Sequence, residues 1–152
     1  MNRILPYIIA AFTILAAAGC KEKETPVDYN IFIVGDWRFM PEEFDEETTK
    51  VHLSFMEDNG FDLYQKIGDG RYRHYSGRWE VKGNTLSGEY SAGTSWGSSY
   101  ALTSIGTDTL VMTALNGSED VMKYAREAIP AEITDEATDV KSADPDNDRP
   151  VL

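Results

Sequence analysis

A single cysteine, Cys20, excludes a disulfide framework and any thiolate metal cluster from the folded part of this 152-residue chain. Positive charge is also scarce. Against 14 Lys and Arg stand 26 Asp and Glu, a formal net charge of -12. A chain this acidic offers no basic face to a phosphate backbone, so nucleic acid is excluded as a partner, and anionic headgroups are repelled as well. Long apolar runs reduce to one, residues 4–18. Its length of about fifteen residues falls short of the roughly twenty that a spanning helix needs. Histidine is limited to His52 and His74, and the Gly-x-Ser-x-Gly spacing of Gly93 to Gly97 falls in a Gly- and Ser-rich stretch that reads as a rim loop, not as the strand-to-helix elbow of a serine nucleophile.

The apolar run follows a short basic start, Met1-Asn2-Arg3, and ends in the small residues Ala16-Ala17-Ala18-Gly19 before Cys20. This is the pattern of an export signal. Ala17-Ala18-Gly19-Cys20 resembles a bacterial lipobox, which implies acylation of the Cys20 sulphur and cleavage before it. Residues 1–20 therefore read as a lipoprotein signal peptide, and residues 21–30, with Lys21-Glu22-Lys23-Glu24 and Pro26, as a tether. Attachment would come from the acyl chains, each buried methylene contributing about 0.8 kcal/mol, and stable anchoring takes more than one chain.

From Ile31 onward turn signals recur at roughly ten-residue spacing: Asp58-Asn59-Gly60, Gly68-Asp69-Gly70, Lys82-Gly83-Asn84, Gly106-Thr107-Asp108 and Asn116-Gly117-Ser118. Short strands between tight turns predict an all-β fold, and hairpins in series predict an antiparallel up-and-down meander of about eight strands. Period-two alternation assigns faces. Val51, Leu53 and Phe55 point in while His52 and Ser54 point out; Phe61, Leu63 and Ile67 point in with Gln65 as a polar intruder. Tyr75, Gly77, Trp79 and Val81 oppose His74, Ser76, Arg78 and Glu80. Leu86, Gly88 and Tyr90, then Tyr100 and Leu102, then Leu110, Met112 and Ala114 continue the inner face. Val121 to Arg126 is ambiguous. Residues 91–99, rich in Gly and Ser around Trp96, read as a flexible rim or an edge strand. Residues 128–152 carry seven acids, three prolines and no aromatic side chain, a composition that predicts an acidic disordered tail.

The opening Gly35-Asp36-Trp37 and the basic residue Arg126 in the last strand resemble the lipocalin-like family, over residues 31–127. The resemblance implies a barrel whose Trp37 seals one end under Arg126, with Gly35 permitting the turn. The short, disulfide-free chain is similar to the compact lipocalin-like domain lipoproteins of Bacteroidetes, a calycin-like type, which implies an outer-membrane lipoprotein of the cell envelope on its periplasmic or surface face.

Chemistry-bearing clusters are few. Glu42-Glu43 and Asp45-Glu46-Glu47 crowd one loop and read as a charge-repelling surface. Asp144, Asp146 and Asp148 start with the spacing of a calcium loop but lack its glycine and its distal glutamate. His52 and His74 fall on outward positions and read as solvated. No catalytic residue, metal site or cofactor emerges, and the chain reads as a non-enzyme. What remains is the aromatic interior: Phe55, Tyr75, Trp79, Tyr90 and Tyr100. These are either plain core or the lining of an apolar pocket whose hydroxyls orient a small hydrophobic ligand, with Gly77 and Gly88 leaving space beside them. The alternative is a packed barrel that presents its loops to a protein or glycan.

Overall fold

The structure is a computed structural model that describes residues 25–41, 49–140 and 150–152. The expectations for residues 1–24, including Cys20, for the acidic loop 42–48 and for Asp144, Asp146 and Asp148 lie outside the described residues.

Eight antiparallel strands close into a meander barrel, as the turn spacing predicts: β1 (Gly35–Met40), β2 (Thr49–Phe55), β3 (Gly60–Ile67), β4 (Arg73–Lys82), β5 (Thr85–Tyr90), β6 (Tyr100–Ile105), β7 (Thr109–Ala114) and β8 (Val121–Arg126). Each pairs with its sequence neighbour, and β1 also pairs with β8 through Trp37↔Arg126 and Phe39↔Tyr124, so no barrel edge is left open there. The seam between β5 and β6 is the shortest, with Thr85↔Ala101 and Leu86↔Tyr100 its register pairs.

Alternation carries the packing. Trp37, Leu53, Phe55, Phe61, Leu63, Leu86, Leu102, Leu110 and Met112 are buried in one continuous core. The ambiguous last strand is settled by Tyr124, which is fully buried, so that Met122, Tyr124 and Arg126 share the inner parity and exposed Val121 the outer. Ile67, expected inside, is exposed at the end of β3.

Chain direction fixes what lies at each end. The β2–β3, β4–β5 and β6–β7 turns, with the start of β1 and the end of β8, gather at one end. Residues 68–72, 91–99 and 115–120 gather at the other, the mouth. At the closed end a short helix, α1 (Tyr29–Phe32), is capped by the Asp28 carboxylate, which accepts from the Asn30 amide at 3.1 Å. The folded part thus begins just inside the stretch read as tether, and Ile33 behind the helix is completely buried.

The described residues of the stretch after Glu127, 128–140 and 150–152, depart most from expectation. A helix, α2 (Ala131–Glu136), and a two-residue strand, β9 (Thr138–Asp139), follow β8, and Leu152 is buried. Composition predicts disorder because this stretch has little to bury by itself; the barrel supplies what it lacks. Because β5 pairs only with Gly77 to Lys82 of β4, the start of β4 retains an open edge. β9 takes it in parallel, with the Thr138 amide donating to the Tyr72 carbonyl and the Val140 amide to the His74 carbonyl, each at 2.9 Å.

Candidate functional site

At the closed end Gly35, Trp37 and Arg126 meet. The indole N–H of Trp37 donates to the Ile33 carbonyl at 2.7 Å, which ties the ring to the chain just after α1. The Arg126 guanidinium lies 4.2 Å from the Trp37 ring centroid and 5.5 Å from that of Phe32. Its Nη1 donates to the Val34 carbonyl at 2.9 Å and its Nη2 to the Phe32 carbonyl at 2.6 Å, while Nε reaches the Thr107 carbonyl at 3.3 Å. Gly35 has φ +124, and a Cβ there would stand 2.8 Å from Arg126 Nη1. Only glycine admits both the backbone angle and the guanidinium.

The five interior aromatics are all buried, and they divide into two groups. Phe55 and Trp79 meet edge to face at 5.8 Å toward the closed end, where the Trp79 N–H donates to the Gly60 carbonyl at 2.8 Å. With its polar atom held by the wall, Trp79 is core. Tyr75, Tyr90 and Tyr100 stand toward the mouth, with the Tyr75 and Tyr90 rings 6.0 Å apart. Burial pushes the Tyr90 phenol well above its ordinary pKa and the Tyr100 phenol up to about 12, so both hydroxyls are proton donors across the physiological range.

Gly77 and Gly88 do not leave vacant space. A Cβ on Gly77 would run into the Glu89 carbonyl of the paired strand, and one on Gly88 would stand 2.5 Å from the Trp96 ring. Trp96, expected on a flexible rim, is buried in the barrel instead, 5.0 Å edge to face from Phe61 and 6.3 Å from Tyr100. The rim folds inward because Gly88 opens a slot of ring thickness and because the Trp96 amide donates to the Gly88 carbonyl at 3.0 Å. The indole N–H of Trp96 has no partner among the described residues.

Two further interior features stand out. Gln65, the polar intruder, is buried, and its Oε1 accepts from the Val151 amide at 2.8 Å. The Tyr90 hydroxyl donates to the Leu152 carbonyl at 2.8 Å, and the Tyr100 hydroxyl reaches the Val151 carbonyl at 3.4 Å. A segment from outside the barrel strands therefore sits in the mouth. An inward glutamine amid apolar neighbours was the available signal, since such a side chain stays buried only with a polar partner.

The histidines are not solvated surface residues. His74 bridges two carboxylates, Asp62 through Nε2 and Asp139 through Nδ1, each at 2.7 Å, and stacks on Tyr64 at 4.7 Å. With a carboxylate within hydrogen-bond distance of each nitrogen, the protonated ring can donate to both, and the arrangement acts as a clamp on β9. His52 is buried on the outer wall, in a cleft of about 300 Å³ that it shares with Tyr72, Pro130 and Ile133. Burial lowers its pKa.

Among the described residues no group of three or more His, Cys, Asp or Glu could hold a metal ion, and no helix is long and apolar enough to cross a membrane. No curated protein matches the chain significantly. The profile of the lipocalin-like domain matches residues 20–112, a span that ends within β7 and leaves out the strand carrying Arg126. A closed eight-stranded meander with this match over most of its strands belongs to the lipocalin-like domain family.

Proposed function

We propose that this chain is a lipid-anchored binding protein of the bacterial cell envelope, without enzymatic activity, whose barrel takes a small hydrophobic molecule through its mouth. The observation that carries this reading is the pair Val151 and Leu152, which lie against Tyr90, Tyr100 and Gln65 at the mouth. An eight-stranded barrel is just wide enough to be filled by its own side chains or to hold one small ligand. Here the strands leave room for at least one apolar side chain that is not theirs. The setting is that of small-molecule sites in general: apolar walls with a few convergent polar groups that fix orientation. Support for the anchor is the lipobox-like run before Cys20, and for an envelope address the export pattern before it. An outer-membrane lipoprotein, exposed to the periplasm or to the surface, is the reading consistent with both. Attachment would then come from N-terminal acyl chains.

Native mass spectrometry of protein purified from its own host tests the reading. The expected result is an adduct of a few hundred daltons that organic extraction removes, on a chain beginning at an acylated Cys20. Protein that carries no adduct and binds nothing from a broad panel of apolar probes would overturn it.

A second reading, loops presented to a protein or glycan by a packed barrel, is favoured by one observation. Trp96 lines a solvent-facing cleft of about 620 Å³ beside Arg78, Glu80, Ser87 and Glu89, where the β5–β6 seam is short. An aromatic ring among carboxylates, hydroxyls and a guanidinium suits a polar partner better than a lipid. Protection of Ser95 and Ser99 amides by such a partner, with the interior unchanged, would shift the preference.

A further inference from the structure

We propose that residues 150–152 are a resident occupant of the ligand site, and that the ligand competing with them is an apolar chain bearing an amide. The inference rests on the ligand-binding reading above and adds to it both the chemistry of the ligand and the identity of its competitor.

The contacts define that chemistry. Gln65 accepts an N–H at 2.8 Å, the Tyr90 hydroxyl donates to a carbonyl at 2.8 Å, and the Tyr100 hydroxyl approaches a second carbonyl at 3.4 Å. Beside these groups the site buries the whole Leu152 residue and half-buries Val151. Acceptor, donors and apolar wall together read the N–H and C=O of Val151 and the main-chain oxygen of Leu152, with an apolar side chain on each residue. A hydrocarbon without polar atoms would leave Gln65 and the two hydroxyls without these bonds, at the cost that attends desolvated polar groups. An N-acyl amide would replace the N–H bond and one of the two hydroxyl bonds, and a short apolar peptide would replace all three.

The occupant is held lightly enough to be exchanged. Among the described residues its polar attachments are those three hydrogen bonds, whereas each barrel strand has a pairing neighbour on both sides over at least part of its length. Segments with so few contacts open at free energies well below that of global unfolding. Tethered to the barrel through β9, the segment acts at high effective concentration, so it lowers the apparent affinity of any ligand by the fraction of molecules in which it is docked.

The test uses the full chain and a fluorescent probe, dansyl-labelled undecanoic acid. Leu152→Asp, which cannot be buried among the tyrosines, should tighten probe binding at least fivefold. Val151→Pro, which removes the N–H given to Gln65 yet stays apolar, should tighten it by less. In the parent, the Leu152 methyl signals should carry ring-current shifts and move to solvent values as the probe saturates. Undecanamide should displace the probe at lower concentration than undecanol. Equal affinities in parent and both variants, with Leu152 methyls unmoved at saturation, would overturn the occupant while leaving ligand binding intact. Solvent-like Leu152 methyls in the free parent would overturn it as well. Equal displacement by the amide and the alcohol would overturn the ligand class. No binding by parent or variants would overturn the inference together with the ligand-binding reading itself.

Discussion

Arg126 stacks on Trp37 with its guanidinium 4.2 Å from the ring centroid, while two of its nitrogens close on the carbonyls of Phe32 and Val34. One side chain thus joins the last strand, the first strand and the helix that covers the closed end. Trp37→Ala should cost about 3–5 kcal/mol, the usual range for deleting a buried aromatic side chain. Arg126→Ala should cost less but should also loosen α1, and the double variant should show a coupling of about 0.5–2 kcal/mol, the range for a stacked cation and ring. Arg126→Lys should not restore it, because a compact ammonium cannot stack and reach both carbonyls at once. Urea denaturation of the four variants measures all of these, and strict additivity would mean that the stack contributes nothing.

Gly88 and Trp96 form a second pair, slot and filler. Gly88→Leu should destabilise the fold by about 1–3 kcal/mol or expel the indole, as overpacking does. Combining it with Trp96→Ala should recover only the part of the loss due to the ring, since a Cβ at 88 would still stand 2.7 Å from the Arg78 carbonyl. Trp96 fluorescence separates the two outcomes. A red-shifted emission in Gly88→Leu reports expulsion, and an unaltered spectrum with unchanged stability would mean the slot is looser than its 2.5 Å spacing indicates.

Shortening the chain to end at residue 127 removes α2, β9 and the buried Leu152. Burying one leucine contributes about 1.5–3 kcal/mol, and a loss of 1 kcal/mol lowers the Tm of a domain this size by about 4–8 °C. The shortened chain should therefore melt several degrees below the parent in calorimetry. Identical melting would mean that the segment rests on the barrel without stabilising it.

Cys20→Ser tests the proposed anchor. The variant should appear in the soluble fraction or retain its unprocessed mass, because serine cannot form the thioether that lipidation requires. A variant that stays in membranes at its mature size would argue for another means of attachment.

The barrel was legible because its two signals are local. Turn residues recur at hairpin spacing, and Tyr75, Gly77, Trp79 and Val81 alternate with residues that could not be exchanged with them. What was not legible depends on the part of the chain with the least local signal. The stretch after Glu127 has too little apolar surface to fold alone, and sequence composition measures only that. The placement of its described residues comes from partners distant in sequence: the open edge at Arg73 and His74, the inward Gln65, and the Tyr90 and Tyr100 hydroxyls. The misreading of the two histidines follows from the same cause. His74 is outward by alternation, but Asp139 arrives from that stretch to meet it, and His52 shares its cleft with Pro130 and Ile133 from the same segment. Gly77 and Gly88 misled for a different reason, since a missing side chain marks close approach as readily as vacancy.

The two histidines should oppose one another in pH. The hydrogen bond from His74 to Asp62, and then that to Asp139, raises its pKa above 6.5 against the opposing effect of burial. Folding therefore favours its protonated form. That contribution to stability is complete below 6.5 and is lost as pH rises through the folded-state value. His52 has the reverse sign, because burial lowers its pKa and folding favours the neutral ring. Its contribution is present above 6.5 and is lost as pH falls toward the lower folded-state value. Two-dimensional NMR titration of the imidazoles should place His74 above and His52 below 6.5. Because Asp139 lies in β9, deprotonating His74 should also speed amide exchange at Thr138 and Val140, which donate to Tyr72 and His74, before any exchange change in the barrel strands. His74→Asn should remove that acceleration and leave the acid-side loss due to His52 in place. If exchange at Val140 shows the same pH dependence in parent and His74→Asn, the clamp does not hold β9, and the pairing of β9 with the edge of β4 is sufficient by itself.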